Sequence, residues 1–220
     1  MDEKKFLRET KWLSQFSDGT AEAILDRYKI LTFAHGDAIY RKGDRSDGVY
    51  CVTKGCMRYS AVTIDGYETT LWIVGAGEWD GFGTIFDDGG RLYDTYAVGE
   101  TRLAMIANET INELMANWPE FAPAMIKSLA RAIRDTAEDV EMILSRSPEQ
   151  LLAWRLEVLC VHSAGRNEIE LTQDEMAALI GASRQTVRNI LQNWSEQQIV
   201  EVRYGKLRIL TPETLKSIWK

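Results

Sequence analysis

Residues 172–210 constrain the fold more strongly than any other part of the chain. Thr172 opens an apolar-periodic segment and is followed three positions later by Glu175, the arrangement of a helix capping box. Gly181-Ala182 interrupts this period, and Ser183 is placed to cap a second helix, RQTVRNILQNWSEQQ. Apolar residues recur in that helix at core spacing: Val187, Ile190, Leu191 and Trp194. The alternating segment EVRYGKLRIL then indicates a β-hairpin, so the sequence predicts a winged helix-turn-helix.

The face of the second helix that points away from this core carries hydrogen-bonding side chains. Arginine pairs with the major-groove edge of guanine, and glutamine or asparagine pairs with that of adenine. Hydroxyls at the helix start and cations on the hairpin, including Arg208, suit phosphate oxygens. The predicted DNA-binding residues are Thr172, Ser183, Arg184, Gln185, Thr186, Arg188, Asn189, Arg203 and Lys206. The alternative, a small helical domain with solvated charges, leaves the coincidence of caps, turn, polar face and basic hairpin unexplained.

The net charge at first contradicts a nucleic-acid partner. The 220 residues carry a formal charge of -7 and the sequence pI is about 5.0, whereas nucleic-acid-binding domains are usually basic. The charge is uneven, however: residues 147–220 hold nine Lys/Arg and nine Asp/Glu, against 17 and 24 in the first 146 residues. The acidic excess therefore lies in the front half, and we expect the back half to concentrate its positive charge on one surface.

The front half has a different pattern. Residues 3–29 are predicted to be helical, whereas from about residue 32 to 106 β-branched and aromatic runs alternate with glycine turns at roughly 8–12-residue spacing. Asp65-Gly66 is a strong hairpin signal and Lys54-Gly55 is interpreted as a turn between strands. These features predict an antiparallel β-roll or jelly roll, which makes the whole chain an α+β protein.

A long amphipathic helix is predicted from Pro119 to Ser145. It could pack entirely on its own sheet or pair with a second copy, and its position between two domains favours a dimer contact. Its apolar seam comprises Met125, Leu129, Ile133, Val140 and Leu144. Ser147-Pro148 ends this helix and begins the next one. The expected organisation is a sensor roll at 1–118, a dimerisation helix at 119–146 and a DNA-binding domain at 147–220.

Metal, redox and membrane functions find little support in the composition. Three cysteines without a Cys-x-x-Cys pair and two histidines supply no set of ligands for zinc, an iron–sulfur cluster or haem, so no cofactor is expected. The cysteine usage fits a reducing cytosol, which predicts a cytoplasmic protein. The charged N-terminus has no signal-peptide pattern, and no apolar run approaches the ~20 residues that a membrane helix needs.

The segment LTQDEMAALIGASRQTVRNILQNWSEQQIV resembles the DNA-binding motif of the Crp/Fnr superfamily. AHGDAIYRKGDRSDGVYCVTKGCMRYSAVTIDGYETTLWIVGAGEWDGFG is similar to the cyclic-nucleotide-binding-like roll of that family. The resemblance implies a homodimeric transcription regulator that binds two-fold-related DNA half-sites and contacts RNA polymerase. The family pattern Ser-Arg-x-Thr-Val stands at residues 183–187. Where Gln185 and Asn189 stand, the family often has glutamate and arginine, so a different base preference is expected.

The effector pocket implied by the resemblance matches poorly. Gly81 fits the family's phosphate cassette, but Phe82 replaces the glutamate that holds the ribose, and Leu92-Tyr93 replaces an Arg-Ser pair. Arg91 lies one position away, and Thr136 matches a threonine that contacts the base. The candidate pocket residues are Trp72, Trp79, Gly81, Phe82, Arg91, Tyr93 and Thr136. Cyclic AMP is not expected to bind, because an anion without its paired cation is costly to desolvate.

The aromatic residues near the cassette permit two interpretations. Trp72, Trp79, Phe82, Tyr93 and Tyr96 either line a pocket for a small apolar effector, whose identity is unknown, or fill the roll as core. Two alternatives for the whole chain remain: a true cyclic-nucleotide-responsive regulator, and a metal-binding enzyme of the cupin type. The enzyme would need several His or Glu ligands on strands, which His35 and His162 do not supply, so the chain is not expected to be an enzyme.

Overall fold

The computed structural model describes residues 2–62, 64, 66, 68–86, 89–162, 167–203 and 205–220. The chain forms two compact units. The first contains residues 1–57 and 74–137, and the second contains residues 58–73 and 138–220. The second unit therefore includes a segment of the front half that the sequence assigns to the roll.

The N-terminal helical region is divided by its caps. Helix α1 spans Glu3–Arg8, a 3₁₀ turn spans Leu13–Gln15, and α2 spans Asp18–Leu25. The Ser17 side chain accepts a hydrogen bond from the backbone N–H of Thr20, which starts a new helix instead of continuing the first one. The predicted helical segment is thus correct in type, although it ends before β1 begins at Lys29.

Six strands form one sheet: β1 Lys29–Phe33, β2 Ala38–Tyr40, β3 Gly48–Val62, β4 Glu68–Gly75, β5 Trp79–Asp80 and β6 Asp94–Ala107. The order is β1-β6-β3-β4, with β2 paired to β6 and β5 paired to β3. The antiparallel register of β1 on β6 places Lys29 opposite Met105. The predicted antiparallel roll and the β3–β4 hairpin around Gly66 are confirmed; Asp65 lies outside the described residues.

The predicted turn at Lys54-Gly55 is wrong, because both residues lie inside the continuous strand β3. Gly55 has a φ of +74°, and a Cβ at this position would lie 2.6 Å from the carbonyl oxygen of Glu100. Glycine is required here for the close approach of β6, and the chain does not reverse.

Two helices follow the roll: α3, Asn108–Asn117, and α4, Phe121–Ser145. The beginning of α4 belongs to the core of the first unit, where Phe121, Ala124 and Met125 are buried with residues of α1, α2 and the sheet. The predicted long helix is confirmed, and its N-terminal turns pack against the same protomer.

After α4, the described residues of the second unit form five elements that the sequence predicts and two that it does not. They are α5 Pro148–His162, β7 Glu168–Ile169, α6 Gln173–Ile180, α7 Arg184–Glu196, β8 Val200–Arg203, β9 Lys206–Ile209 and α8 Pro212–Trp219. Strand β7 adds to the predicted hairpin in the order β7-β9-β8, and α8 packs against α5. These additions complete a winged helix. No helix in the described part of the chain has the length and apolarity needed to cross a bilayer.

Candidate nucleic-acid interface

Local hydrogen bonds define the ends of α6 and α7. The Thr172 hydroxyl accepts from the backbone N–H of Glu175 at 3.2 Å, and the Glu175 carboxylate accepts from that of Thr172 at 2.8 Å. Gly181 ends α6 in the left-handed conformation, with a φ of +61°. The Ser183 hydroxyl then accepts from the backbone N–H of Thr186 at 3.1 Å. The predicted caps and the tight turn between the two helices are confirmed.

Helix α7 has one buried face and one exposed face. Val187, Leu191 and Trp194 are buried, and the Trp194 indole N–H donates to Glu149 of α5 at 2.8 Å. Ile190 is only half-buried. The predicted base-reading residues all lie on the exposed face: Arg184, Gln185, Arg188 and Asn189. The helix therefore meets the basic geometric requirement for entering a major groove.

The exposed face is also internally ordered. The Arg184 guanidinium lies 3.3 Å from the carboxylate of Asp174, and the Gln185 amide donates to Asn189 at 2.8 Å. A surface depression is lined by Gln173, Arg184, Gln185 and Arg188. The structure thus brings the predicted reading residues together. It also adds Gln173 and Asp174, which the sequence places in the first turn of α6 without marking them as part of this surface.

The hairpin β8–β9 does not have the free positive charge expected from the sequence. Arg203 donates to Glu201 at 3.0 and 3.1 Å, and Lys206 pairs with Glu168 at 3.3 Å and Glu170 at 2.8 Å. These hydrogen bonds raise the pKa of Arg203 and of Lys206. The expectation of concentrated positive charge is wrong for the hairpin, because Arg203 has a carboxylate two residues away on its own strand and Lys206 lies beside carboxylates of residues 168–170. Exposed pairs of this kind are weak, so phosphate can displace the carboxylates.

Arg91, the cation nearest the predicted effector cassette, is bound within the roll. Its side chain is only 2% exposed and donates to Asp47 at 2.7 Å and to the Gly48 carbonyl at 2.9 Å. The guanidinium lies 4.3 Å from the ring centroid of Tyr40 and 5.1 Å from that of Tyr50. Burial, followed by a hydrogen bond to Asp47, raises the pKa of Tyr50. The charge of Arg91 is therefore met by a carboxylate of the same unit.

Two candidate pocket residues are core residues. Phe82 is buried and packs against Trp12 with a centroid distance of 5.3 Å, and Trp79 packs against the same ring at 4.5 Å. The Trp79 indole N–H donates to the Thr10 hydroxyl at 2.9 Å. For these two side chains the packing favours the interpretation as core, since their rings fill the space between the sheet and the N-terminal helices.

The other candidate pocket residues have different surroundings. Gly81, with a φ of +96°, lies against Arg91, since a Cβ there would be 2.9 Å from its guanidinium. Tyr93 is half-buried, and Thr136 is exposed and donates to the Ala132 carbonyl of its own helix at 2.8 Å. Trp72 is half-buried and belongs to the second unit. Among the described residues, no group of three or more His, Cys, Asp or Glu side chains is arranged to hold a metal ion.

The predicted seam of α4 divides into two parts. Met125 is 1% exposed, so the expectation that it faces a partner is wrong, and Leu129 is half-buried against the core of the roll. Ile133 and Leu144 are 71% and 81% exposed, and Val140 is also exposed. Helical periodicity identifies the apolar face, whereas the end of the roll determines where that face becomes exposed.

A β-roll followed by a long helix and a capped winged helix-turn-helix defines a DNA-binding protein with an N-terminal cyclic-nucleotide-binding-like domain. The family models agree with this division: residues 30–117 match the cyclic nucleotide-binding domain, and residues 149–218 match the Crp-like helix-turn-helix domain. The chain belongs to the Crp/Fnr family of transcriptional regulators. Because this is a family of regulators and not of enzymes, the enzyme alternative has no support.

Relatives of known name are similar along most of their length. The chain is 27% identical to the cyclic AMP receptor protein of Thermus thermophilus over 194 residues, which covers 88% of this chain and 89% of that protein. It is 23% identical to the global nitrogen regulator of Synechococcus elongatus, with 86% and 89% covered. The crystal structure of a Crp/Fnr-family regulator from Eubacterium rectale has a TM-score of 0.74 at 19% identity and covers 95% of this chain and 97% of that chain. The last comparison supports the fold.

Proposed function

We propose that α7 reads specific bases in the major groove through Arg184, Gln185, Arg188 and Asn189. The observation that carries this proposal is that all four side chains are exposed on a helix whose opposite face is buried. Arg184 and Arg188 suit guanine, while Gln185 and Asn189 suit adenine. Thr172, Ser183 and Thr186 lie at helix starts, where hydroxyls and backbone N–H groups suit phosphate.

We propose further that the regulator is a homodimer whose two α7 helices bind two-fold-related half-sites. The apolar residues exposed on the C-terminal part of α4, Ile133, Val140 and Leu144, support this arrangement, since an exposed apolar stripe is costly to hydrate. An interface formed by the same face of two copies has two-fold symmetry, and a DNA site with matching symmetry follows from it.

The reading role is tested with Arg184→Ala and an operator obtained by in vitro selection with the wild-type protein. One paired base contact is worth about 1–3 kcal/mol and the homodimer loses two of them, so operator affinity should fall by roughly 30- to 25,000-fold, with little effect on unrelated DNA. Gln192→Ala is the matched control, because Gln192 is exposed further along α7 and bonds to Glu196. Unchanged operator affinity in Arg184→Ala would remove the base-reading role.

Removing a hairpin cation should have a different signature. Lys206→Ala, or Arg203→Ala, is expected to weaken binding to all sequences and to lower the slope of log affinity against log salt by at most about 2, which is about 1 for each protomer of the dimer. The slope change should be smaller than for a free cation, because each side chain already bonds to glutamate. A loss confined to the selected operator would contradict the phosphate-contact role.

We infer that the roll does not respond to cyclic AMP. The supporting observations are the engagement of Arg91 by Asp47 and the packing of Phe82 against Trp12. Isothermal titration with cyclic AMP and cyclic GMP tests this inference, with no heat of binding expected. Micromolar binding would establish the alternative, a true cyclic-nucleotide-responsive regulator like the receptor protein of Thermus thermophilus.

We also propose that the DNA-bound dimer contacts RNA polymerase and acts in the cytoplasm, where the enzyme and the DNA are present. Reconstituted transcription from a promoter that carries the selected operator tests the first part. The wild-type protein should change the transcript level, and Arg184→Ala should not. Equal transcript levels with and without the wild-type protein would contradict it.

A further inference from the structure

Arg155 is a buried cation in the helix that supports the DNA-binding motif. It is 3% exposed, and from Leu151 to Leu159 every side chain of α5 is buried or half-buried. Burial lowers the pKa of Arg155, but a guanidinium remains charged at neutral pH. A buried charge is costly unless it is paired and hydrogen-bonded. The residues that bond to Arg155 therefore indicate its structural role.

The partners of Arg155 come from two other elements, one of them distant in sequence. Its guanidinium donates to the Leu71 carbonyl of β4 at 2.9 Å and lies 3.6 Å from the Asp139 carboxylate of α4. It also lies 4.4 Å from the ring centroid of the neighbouring Trp154. One side chain therefore joins β4, the C-terminal part of α4 and the helix on which α7 packs.

The same strand has a second contact with the helix-turn-helix. The Thr69 hydroxyl donates to the Ala178 carbonyl of α6 at 3.4 Å. A Cβ on Gly181, in the turn between α6 and α7, would lie 3.9 Å from that hydroxyl. Thr69 thus bonds to α6 and Leu71 bonds to α5, while the reading face of α7 stays exposed.

We propose that Arg155 is a positioning residue for DNA binding, which holds β4 residues 68–73 and the end of α4 against the helix-turn-helix. These contacts, from Arg155 to Leu71 and Asp139 and from Thr69 to Ala178, form a clasp. Because the clasp holds α5 and α6, on which α7 packs, it fixes the orientation of the reading helix, and DNA binding and clasp formation strengthen each other. The inference rests on the proposed reading role of α7.

The test measures amide hydrogen exchange of residues 68–73 in the full chain, with and without the selected operator. Operator DNA should increase the protection of these amides in the wild type. Arg155→Met keeps most of the side-chain volume but leaves the Leu71 carbonyl without its donor. This variant should lose protection in the absence of DNA and bind the operator about fivefold more weakly or worse, the lower end of typical coupling, with its base preference retained.

Further variants separate positioning from folding. Arg155→Lys retains the charge without the planar fork and should give partial rescue. If Arg155→Met fails to fold, Thr69→Val tests the clasp instead. This variant removes only the bond to α6 and should reduce the DNA-dependent protection of residues 68–73. Lys216→Met removes an exposed cation, paired with Glu157 of α5, and should change neither measurement.

The outcomes distinguish the clasp from the reading role. Arg184→Ala should lose operator preference yet retain wild-type protection of residues 68–73 without DNA. If wild-type protection is unaffected by operator DNA, or if Arg155→Met loses protection without losing affinity, the coupling is overturned. If instead no operator can be selected, the reading role fails, whereas the difference in exchange between the wild type and Arg155→Met still reports on the clasp.

Discussion

Replacing Ile133 with serine should weaken the dimer without weakening the protomer. The side chain is 71% exposed on α4, so little of its surface is buried within its own chain. Full burial of an isoleucine side chain is worth about 1.5–3 kcal/mol, and roughly two thirds of this, about 1–2 kcal/mol, is left to gain at an interface. A symmetric dimer contains two copies, so the substitution should cost about 2–4 kcal/mol, a roughly 30- to 1,000-fold increase in the dimer dissociation constant.

Met125→Ala is the matched control on the same helix. Met125 is 1% exposed in the core of the roll, so this change should lower the free energy of unfolding by about 2–5 kcal/mol. Sedimentation velocity over a dilution series measures association, and urea unfolding at two protein concentrations separates folding from dimerisation. The reasoning is refuted if Ile133→Ser dimerises like the wild type, or if Met125→Ala dissociates while folding as stably as before.

Three further perturbations follow from local contacts. Arg91→Met keeps the apolar packing but removes the hydrogen bonds to Asp47 and to the Gly48 carbonyl, so urea unfolding should show a free energy of unfolding that is lower by about 1–3 kcal/mol. Thr172→Ala removes the cap of α6 and should lower the free energy of unfolding by about 1 kcal/mol in the same assay. An unchanged free energy of unfolding would show that the capping box does not stabilise the helix. Hydrogen bonds from Ser17 and Thr20 lower the pKa of Glu120 below 4.5. The ionised Glu120 carboxylate therefore stabilises the fold above its unfolded-state pKa, and this stabilisation is lost as the pH falls through its folded-state pKa. Glu120→Gln should make the free energy of unfolding decline less steeply in acid. An unchanged dependence of the free energy of unfolding on pH would contradict the assignment.

The parts of the fold that could be predicted from sequence are those determined by neighbouring residues. The box formed by Thr172 and Glu175 and the cap at Ser183 use partners three positions apart, so the ends of α6 and α7 follow from the sequence. Gly55 shows the limit: a positive φ serves a turn or a close approach of another strand, and only the position of β6 decides between them. The two-residue strand β7 is too short to produce a pattern.

The electrostatics of the site depend on register, which the sequence does not reveal. Pairing β7 with β9 places Glu168 opposite Arg208, and pairing β8 with β9 places Glu201 opposite the same residue. Carboxylates therefore lie beside the cations of the hairpin, so counting the Lys and Arg residues of the hairpin overestimates its positive charge. The exposed face of α7 escapes this problem, because the period of one helix determines which side chains share a surface.

Arg91 and Arg155 are both buried, and the location of the groups that bond to each one indicates what that arginine stabilises. Arg91 finds Asp47 and the Gly48 carbonyl inside the roll, so its charge is satisfied by the unit to which it belongs. Arg155 depends on Leu71 of β4, which lies 84 residues earlier in the chain, and on Asp139 of α4, the helix that directly precedes α5. Moving either element away would leave a cation buried without a partner, which is strongly unfavourable. The first arginine therefore stabilises the roll, whereas the second joins α5 to residues 68–73 and to the end of α4 within the second unit.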